Sequence, residues 1–287
     1  MKRLRITIFA LLAFSLVLLV VSSGVRLLIK DRTLPVIECP QQELRVSAKD
    51  GSDALLQGVT ASDGKDGDLT DSIVVEQITG TGTAGKVTVT YAVADRDHHV
   101  ASCSRTVIYT DYVPPRFSLS LPLIYDIGEN LQVRDRLGAT DMIDGSLTDR
   151  IKINASSLST SYAGTFPITM EVTNSLGDTS TLTLDVVVRD SDRGAPEIKL
   201  KQYLVYQKQG AEFDASAYVD SVMGGETDNV TASVPDGGLH PGVNQVTYSC
   251  MNSMGLTGTT TLYVIVELGK RWEKKQQSAG LISALSA

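Results

Sequence analysis

The sequence predicts an all-β protein in which three tandem β-sandwiches follow one N-terminal transmembrane helix. Three observations support this prediction. A set of landmarks recurs about every 79 residues along the chain. Between the landmarks, apolar and polar residues alternate over short stretches, which is the pattern of half-buried strands. No convincing helical period separates these stretches, and short strands with regular turn signals indicate β-sandwiches.

Two of the landmarks define the predicted domains. Each copy begins at a proline before an apolar strand start, at Pro35, Pro115 and Pro196. Each copy also contains a glycine that opens an alternating strand, at Gly85, Gly164 and Gly242. The predicted domains cover residues 35–111, 114–190 and 195–268, and residues 269–287 form a predicted mobile tail. The connecting linkers are short and contain proline, so we expect a semi-rigid rod.

The N-terminal segment differs in composition from the rest of the chain. Residues 1–5 are a basic start, and residues 6–25 carry no charge. A run of about 20 apolar residues is long enough to cross a bilayer as a helix. The basic start predicts a single-pass protein of the cell membrane with its N-terminus inside and its C-terminal domains extracellular. A cleaved signal peptide is the alternative, because Val21-Ser22-Ser23 offers small residues to a peptidase.

Charge and histidine content argue against two classes of function. The net charge of −7 is unfavourable for a nucleic-acid binder, which usually carries a basic patch. The chain contains only three histidines, at positions 98, 99 and 240, and none lies in a nucleophile elbow or a cysteine-protease motif. The sequence therefore predicts a protein that is not an enzyme.

The stretch from Gly85 to Ala101 resembles two related families of extracellular modules. With Tyr91 and Asp95 in place, it is similar to the bacterial immunoglobulin-like domain named after a pesticidal crystal protein, and to the hyalin repeat. The resemblance covers about residues 35 to 268 in three tandem copies. It implies an immunoglobulin-like fold and an extracellular location, and it is weak evidence for function. His98 and His99 depart from the Gly-Asn turn of the family.

The resemblance also bears on the three cysteines, all of which lie in the predicted exported part. Cys39-Pro40 and Ala101-Ser102-Cys103 look like the hyalin repeat, which implies a disulfide between Cys39 and Cys103. An oxidising compartment would allow that bond. Cys250 aligns with Val93 and Val172 on the inward face of the same strand, so we expect a small buried hydrophobe.

Acidic turns are the strongest candidates for a metal site. Asp63, Asp66, Asp68 and Asp71 place four carboxylates close together, and Ca²⁺ requires several oxygen ligands at once. The stretch nevertheless lacks the spacing of an EF-hand loop. Asp-Gly and Thr-Asp are also common turn residues whose side chains bond to nearby backbone N–H groups. A turn is therefore the favoured interpretation, with calcium as the alternative and no other cofactor expected.

Two further residue groups are candidates for binding. Asp95, Asp97, His98 and His99 could bind a transition metal, but adjacent histidines point to different sides and no other histidine is near, so a solvated turn is favoured. Trp272 lies among basic residues in the tail, where an exposed aromatic side chain could anchor a partner.

These observations predict a non-catalytic, membrane-anchored cell-surface protein that acts as an adhesive or as a spacer rod of immunoglobulin-like domains. The expected partners are the membrane, through the N-terminal helix, and a surface protein or glycan. Edge strands would suit a protein partner through strand addition. The alternative is a carbohydrate-binding accessory module of a surface enzyme system, and a small enzyme with a site between domains is a weaker third hypothesis.

Overall fold

A computed structural model of the chain describes residues 11–23, 33–190, 194–226 and 229–268. It divides the chain into two compact units, Met1–Tyr112 and Val113–Ala287. The all-β prediction is confirmed, since strands dominate and only very short helices interrupt them. Trp272 and the whole of the predicted tail, residues 269–287, lie outside the described residues.

The N-terminal prediction is only partly covered by the structure. Of the proposed transmembrane segment 6–25, residues 11–23 form a helix, α1, and the remainder lies outside the described residues. In the part of the chain that the structure describes, we find no helix with the length and apolar character needed to span a membrane. The transmembrane helix is therefore not supported.

The first unit contains one β-sandwich. Its elements are β1 Val36–Glu38, β2 Glu43–Val46, α2 Ser52–Leu55, β3 Thr60–Asp63, β4 Gly67–Asp68, β5 Val74–Gly80, β6 Lys86–Ala94 and β7 Val100–Tyr109. One sheet has the order β1-β3-β4 and the other β2-β7-β6-β5, with β2 parallel to β7. Alternation along β6 buries four inward side chains: Val87, Val89, Tyr91 and Val93.

The predicted disulfide between Cys39 and Cys103 is confirmed. The Cα atoms of the two residues lie 6.4 Å apart. Cys39 directly follows β1, which lies in the three-stranded sheet, whereas Cys103 lies in β7 of the four-stranded sheet. The bond therefore links the two sheets of the first sandwich covalently.

The second unit contains two further sandwiches, whose four-stranded sheets have the same strand order as that of the first. The second sandwich consists of β8 Arg116–Leu119, β9 Ile124–Asp126, α3 Val133–Arg136, β10 Leu137–Asp141, β11 Gly145–Ser146, β12 Lys152–Asn154, β13 Gly164–Thr173 and β14 Thr179–Arg189. The third consists of β15 Glu197–Leu200, β16 Leu204–Lys208, β17 Val219–Met223, β18 Thr231–Ser233, β19 Gly242–Met251 and β20 Thr257–Glu267. The four-stranded sheets, β12-β13-β14-β9 and β16-β20-β19-β18, each include one parallel strand pair.

The register of the long hairpins confirms the prediction for Cys250. Cys250 pairs with Gly258, and in the other two sandwiches Val93 pairs with Ala101 and Val172 with Ser180. All three inward residues are about 1% exposed. Cys250 is a free cysteine that fills the core as valine does in the other copies.

One core position of the first sandwich is occupied by a charged residue. Arg105 is 2% exposed and lies in β7 opposite Val89. The equivalent residues of the other sandwiches, opposite Ile168 and Val246, are Leu184 and Leu262. The alternation therefore predicts that this position faces the core, but it does not predict that an arginine can occupy it.

The Arg105 guanidinium bonds to neutral oxygen atoms and has no carboxylate partner among the described residues. Its Nη2 donates to the carbonyl oxygens of Leu55 and Gln57 at 2.8 and 2.7 Å, and its Nε donates to the Tyr91 hydroxyl at 3.0 Å. Its Nη1 is buried without a partner in the described chain. Burial of a charge with an unsatisfied donor is costly, so these bonds offset a penalty rather than add net stability.

We therefore expect Arg105→Leu to change the free energy of unfolding by no more than about 1 kcal/mol, because leucine fills the site and removes the buried charge. Arg105→Ala should be at least about 2 kcal/mol less stable than Arg105→Leu, because it leaves a cavity. Equilibrium unfolding in denaturant would measure both changes. Equal losses for the two substitutions would show that the charged bonds, and not the volume, stabilise this core.

Candidate functional site

The last strand of the third sandwich, β20, does not show the alternating burial of β7 and β14, the last strands of the other two sandwiches. Leu262, Tyr263 and Val264 are consecutive, and all are at most 3% exposed. At the position in β14 that corresponds to Tyr263, Asp185 is only half-buried. A strand buried on both faces needs a second covering layer. The second sandwich supplies that layer, and one cluster of buried apolar side chains extends through both sandwiches of this unit.

Hydrogen bonds join β14 to the third sandwich at the centre of this contact. The Tyr263 hydroxyl donates to the Asp185 carbonyl oxygen at 2.6 Å, and Gln245 Nε2 donates to Asp185 Oδ2 at 2.8 Å. Burial raises the pKa of the Tyr263 hydroxyl far above its ordinary value, with a further contribution from the Asp185 charge. The hydroxyl therefore remains a neutral donor, as this contact requires.

Polar contacts at the two ends of the interface show how the second and third sandwiches are oriented relative to each other. At one end, Arg116 Nη2 donates to Glu267 Oε1 at 2.6 Å and the guanidinium lies 4.7 Å from the centre of the Tyr206 ring. At the other end, Arg189 Nη1 donates to Thr259 Oγ1 at 3.2 Å. The start of the second sandwich thus meets the end of the third, and the two lie side by side with β14 and β20 antiparallel.

This arrangement differs from the semi-rigid rod that the short linkers predict for these two domains. A short linker limits the distance between domains, but it does not prevent the chain from reversing direction. The outward face of β20 carries Tyr263 and Ile265, and lateral packing removes much of their apolar surface from water. Burial of this face favours the side-by-side arrangement over an extended one.

A cleft opens between the second and third sandwiches beside the linker. Its volume is about 370 Å³, within the range of small-molecule sites. Its walls come from both sandwiches and from the linker, and they are lined by Leu121, Pro122, Ile124, Asp126, Glu129, Arg136, Arg189, Asp190, Ala195, Pro196, Glu197, Ile198, Thr257, Thr259 and Thr260. Four of these residues are acidic and two are basic.

The Arg136 side chain, in the wall of the cleft, bonds to groups of the second sandwich. Its Nη1 donates to the carbonyl oxygens of Pro122 and, at 3.0 Å, Ile124. Its Nη2 lies 3.3 Å from Glu129 Oε1, and the guanidinium lies 3.9 Å from the centre of the Tyr125 ring. Arg189 makes fewer contacts, since only its Nη1 donates, to Thr259. Arg136 therefore shapes the cleft with its donors directed at protein groups, whereas the positive charge of Arg189 has no carboxylate partner among the described residues.

Apart from Glu129, the acidic side chains of the cleft have no protein partner among the described residues. Among the described residues, the carboxylates of Asp126, Asp190 and Glu197 make no hydrogen bond or ion pair. Asp126 lies opposite Arg189 in the parallel pairing of β9 with β14. Glu197 begins β15 on the other side of the linker. The cleft thus presents unpaired negative charge from both of its walls.

The four acidic residues predicted from the sequence form a hydrogen-bonded turn. Asp63 is 7% exposed, and its Oδ1 accepts from the amides of Lys65 and Asp66 at 2.7 and 3.0 Å. The Asp66 amide, followed by that of Lys65, holds the pKa of the Asp63 carboxyl below its ordinary value. Asp66 Oδ2 accepts from the Arg96 amide at 2.9 Å. Asp141 repeats the same turn in the second sandwich.

The other two members of the set face solvent. Asp68 Oδ1 accepts from the Thr70 amide at 2.9 Å, and the Thr70 hydroxyl and then this amide lower the pKa of Asp68. Asp71 is exposed in the short helical turn Thr70–Ser72. Throughout the described ranges, no group of three or more His, Cys, Asp and Glu side chains could hold a metal ion. Calcium binding by this set stays a prediction.

The histidine turn is also organised by hydrogen bonds. Asp95 is buried, its Oδ1 accepts from the His99 amide at 2.7 Å, and its Oδ2 lies 2.7 Å from His99 Nδ1. Asp97 instead pairs with Lys65 at 2.6 Å. His98 adopts a left-handed φ of 69°, which suits the turn. Asp95 thus closes its hairpin as Asn174 and Asn252 close theirs.

Sequence reasoning missed the interface and the cleft. The one available signal was the apolar run from Leu262 to Val266, because a continuous apolar strand indicates burial on both faces. The run could not identify Asp185 as the contact of Tyr263, since nothing local in the sequence marks Asp185.

Comparison with known proteins supports the class of the first unit. Residues 43–108 match the family model described as "Bacterial surface protein, Ig-like domain". This match supports an Ig-like bacterial surface domain and an extracellular or cell-surface location. It covers one sandwich, so neither the specific type of module nor the three copies are established by it. No match is found among curated proteins.

Solved structures provide distant similarities. The chain is similar to the M60 catalytic domain with the CBM51-1 and CBM51-2 domains from Clostridium perfringens ZmpB, at 14% identity and a TM-score of 0.22, covering 83% of this chain and 31% of that chain. It is similar to mouse cadherin-23 EC22-24 at 14% identity and a TM-score of 0.21, covering 83% of this chain and 100% of that chain. The chain thus spans about a third of the clostridial structure, and TM-scores this low carry no argument.

Proposed function

We propose that this chain is a non-catalytic cell-surface protein that binds a surface partner, as an adhesive does. The observation that supports the proposal most is the fixed pairing of the second and third sandwiches, which presents a cleft with unpaired carboxylates. Two domains that are already held together lose little freedom when a partner binds across them. The match of the first sandwich to a bacterial surface domain supports the location.

Two other roles have less support. A spacer would not need a cleft with uncommitted charged groups. Carbohydrate recognition generally uses aromatic side chains as stacking platforms, and none is among the described residues that line the cleft. Membrane attachment through residues 6–25 stays a prediction, as does a contribution of Trp272 to partner binding.

Binding of the exported part, residues 31–268, to bacterial cell walls, mucin-type glycans and matrix proteins tests the proposal. We expect saturable binding to one of these classes. Glu267→Arg, which places two positive charges together at the Arg116 contact, should weaken binding at least about tenfold because like charges open the interface. Glu171→Arg is the matched control, since Glu171 also pairs with a basic residue, Lys152, but away from the interface.

A folded protein that binds none of these targets would contradict the adhesive role and favour a spacer. Equal binding by the two charge-reversal variants would show that the fixed pairing is not needed. Turnover of a hydrolase substrate by the same preparation would contradict the non-catalytic part of the proposal.

A further inference from the structure

Asp-Gly pairs are positions at which a peptide chain readily isomerises. The glycine nitrogen can attack the aspartate side chain because glycine has no Cβ to obstruct the approach. The chain contains such a pair at five positions, which begin at Asp50, Asp63, Asp66, Asp144 and Asp236. Since the two reacting residues are the same in each pair, differences among the five positions depend on the fold.

At four of these positions a backbone amide holds the aspartate carboxylate. The donors are the amides of Ser47 for Asp50, Lys65 for Asp63, Arg96 for Asp66 and Ser175 for Asp144, at 3.1, 2.7, 2.9 and 2.7 Å, respectively. Attack requires the carboxyl group to rotate onto the nitrogen of the following glycine. These hydrogen bonds fix the carboxylates in other orientations and so oppose the reaction.

The fifth position, Asp236, lies in an exposed turn between β18 and β19. A hydrogen bond of 2.9 Å from the Gly238 amide to the Pro235 carbonyl oxygen closes the turn. Gly237 occupies the third position of the turn with a φ of 81°, a conformation that suits glycine. The Asp236 side chain is exposed, and its carboxylate makes no hydrogen bond or ion pair with the described residues. No described contact therefore opposes its rotation.

The His240 imidazole contacts the peptide group between Asp236 and Gly237. Its Nε2 lies 3.2 Å from the Asp236 carbonyl oxygen, and this oxygen can only accept, so Nε2 is the donor. The ring also lies beside Gly237, since a Cβ added there would be 3.6 Å from His240 Cε1. When the Gly237 nitrogen loses its proton, negative charge develops on the Asp236 carbonyl oxygen, and a donor placed there stabilises that charge.

The backbone of His240 is held independently of its ring. The buried Asn244 in β19 accepts from the His240 amide at 2.8 Å through Oδ1, and its Nδ2 donates to the His240 carbonyl oxygen at 2.6 Å. These bonds place the imidazole against the turn, and a substitution that changes only the side chain at 240 leaves them in place.

We propose that Asp236 is a site of spontaneous isoaspartate formation and that His240 promotes the reaction. The protonated carboxyl group of Asp236 loses OH and the Gly237 amide loses H, so that a bond forms between nitrogen and Cγ and one water leaves. Water then adds to the main-chain carbonyl carbon of the resulting succinimide and breaks its bond to nitrogen. The main chain afterwards runs through Cβ of residue 236. The reaction consumes no oxidant or cofactor, and it does not depend on the proposed surface role.

Peptide mapping of the folded full chain after prolonged incubation at neutral pH tests the proposal. Isoaspartate has the same mass as aspartate, but its peptides separate in chromatography and resist a protease that cleaves before aspartate. We expect isoaspartate to accumulate at position 236 at least about fivefold faster than at the other four positions, because their carboxylates must first break a hydrogen bond. Chain unfolded in denaturant is the matched control, in which all five positions should react at similar rates.

Two substitutions at position 240 test the role of the imidazole. His240→Phe keeps a ring but removes the donor, and it should slow the reaction in the folded chain about threefold, as expected for the loss of one hydrogen bond. The same substitution should have no effect in the unfolded chain. His240→Gln provides an amide donor of similar reach and should retain most of the rate.

Equal rates at all five positions of the folded chain, or a faster reaction at one of the other four, would overturn the assignment of the site. A His240→Phe variant that reacts as fast as the parent, or that is slowed equally when unfolded, would overturn the role of His240.

Discussion

Replacing Gly258 by alanine should destabilise the third sandwich by about 4 kcal/mol, an exceptional loss for the addition of one methyl group. A Cβ at this position would fall inside the van der Waals radius of the Pro196 carbonyl oxygen and also approach the Pro196 Cα at 3.3 Å. The neighbouring atoms belong to the backbone, so no side chain can move aside. The strand that begins at Glu197 would have to shift away from β20.

The sign of this effect distinguishes it from an ordinary glycine-to-alanine change. At positions with room, the same substitution stabilises a protein by about 0.4–1 kcal/mol, since it restricts the unfolded chain. The equivalent residues of the other sandwiches, Ala101 and Ser180, carry a Cβ. Ser180→Ala is therefore the matched control, with an expected change below about 0.5 kcal/mol. Denaturant unfolding of both variants measures the difference, and a neutral Gly258→Ala would show that β15 can move without cost.

Removal of the Cys39–Cys103 disulfide should reduce the stability of the first sandwich by about 4 kcal/mol in the chain-entropy model. The two cysteines are 64 residues apart, so the bond closes nearly the whole sandwich into a loop. It also joins the two sheets, which otherwise meet through core side chains. Hydrogen exchange of peptides from β6 and β7 in a variant with both cysteines replaced by alanine would measure the loss.

The free cysteine provides the control for this experiment. Cys250→Ala removes a thiol from the core of the third sandwich but breaks no covalent bond. A reducing agent should accelerate exchange in the first sandwich of this variant as it does in the parent. If reduction left exchange in β6 unchanged, the disulfide would contribute little, and residual structure in the reduced unfolded chain would be the explanation.

Local patterns were sufficient for the strands and for the inward residues. Alternation along β6, β13 and β19 predicted which side chains are buried, because successive residues in a strand point to opposite faces. That rule placed Cys250 in the core of the third sandwich, at the position that Val93 and Val172 occupy in the other two. It locates the inward position of Arg105 but could not predict that an arginine is stable there, since a buried arginine depends on carbonyl oxygens of residues about 50 positions away.

The sequence by itself determined the all-β class, the recurring pattern of alternating strands and, through the resemblance of its flanking residues, the cysteine pair. These features depend on periodicity and on short motifs, which act within a few residues. Only the tertiary structure decided that the second and third sandwiches lie side by side and enclose a cleft. That arrangement depends on contacts such as Arg116 with Glu267, which are 151 residues apart. Complementarity between distant surfaces leaves no periodic trace in either segment, so no local pattern can predict it.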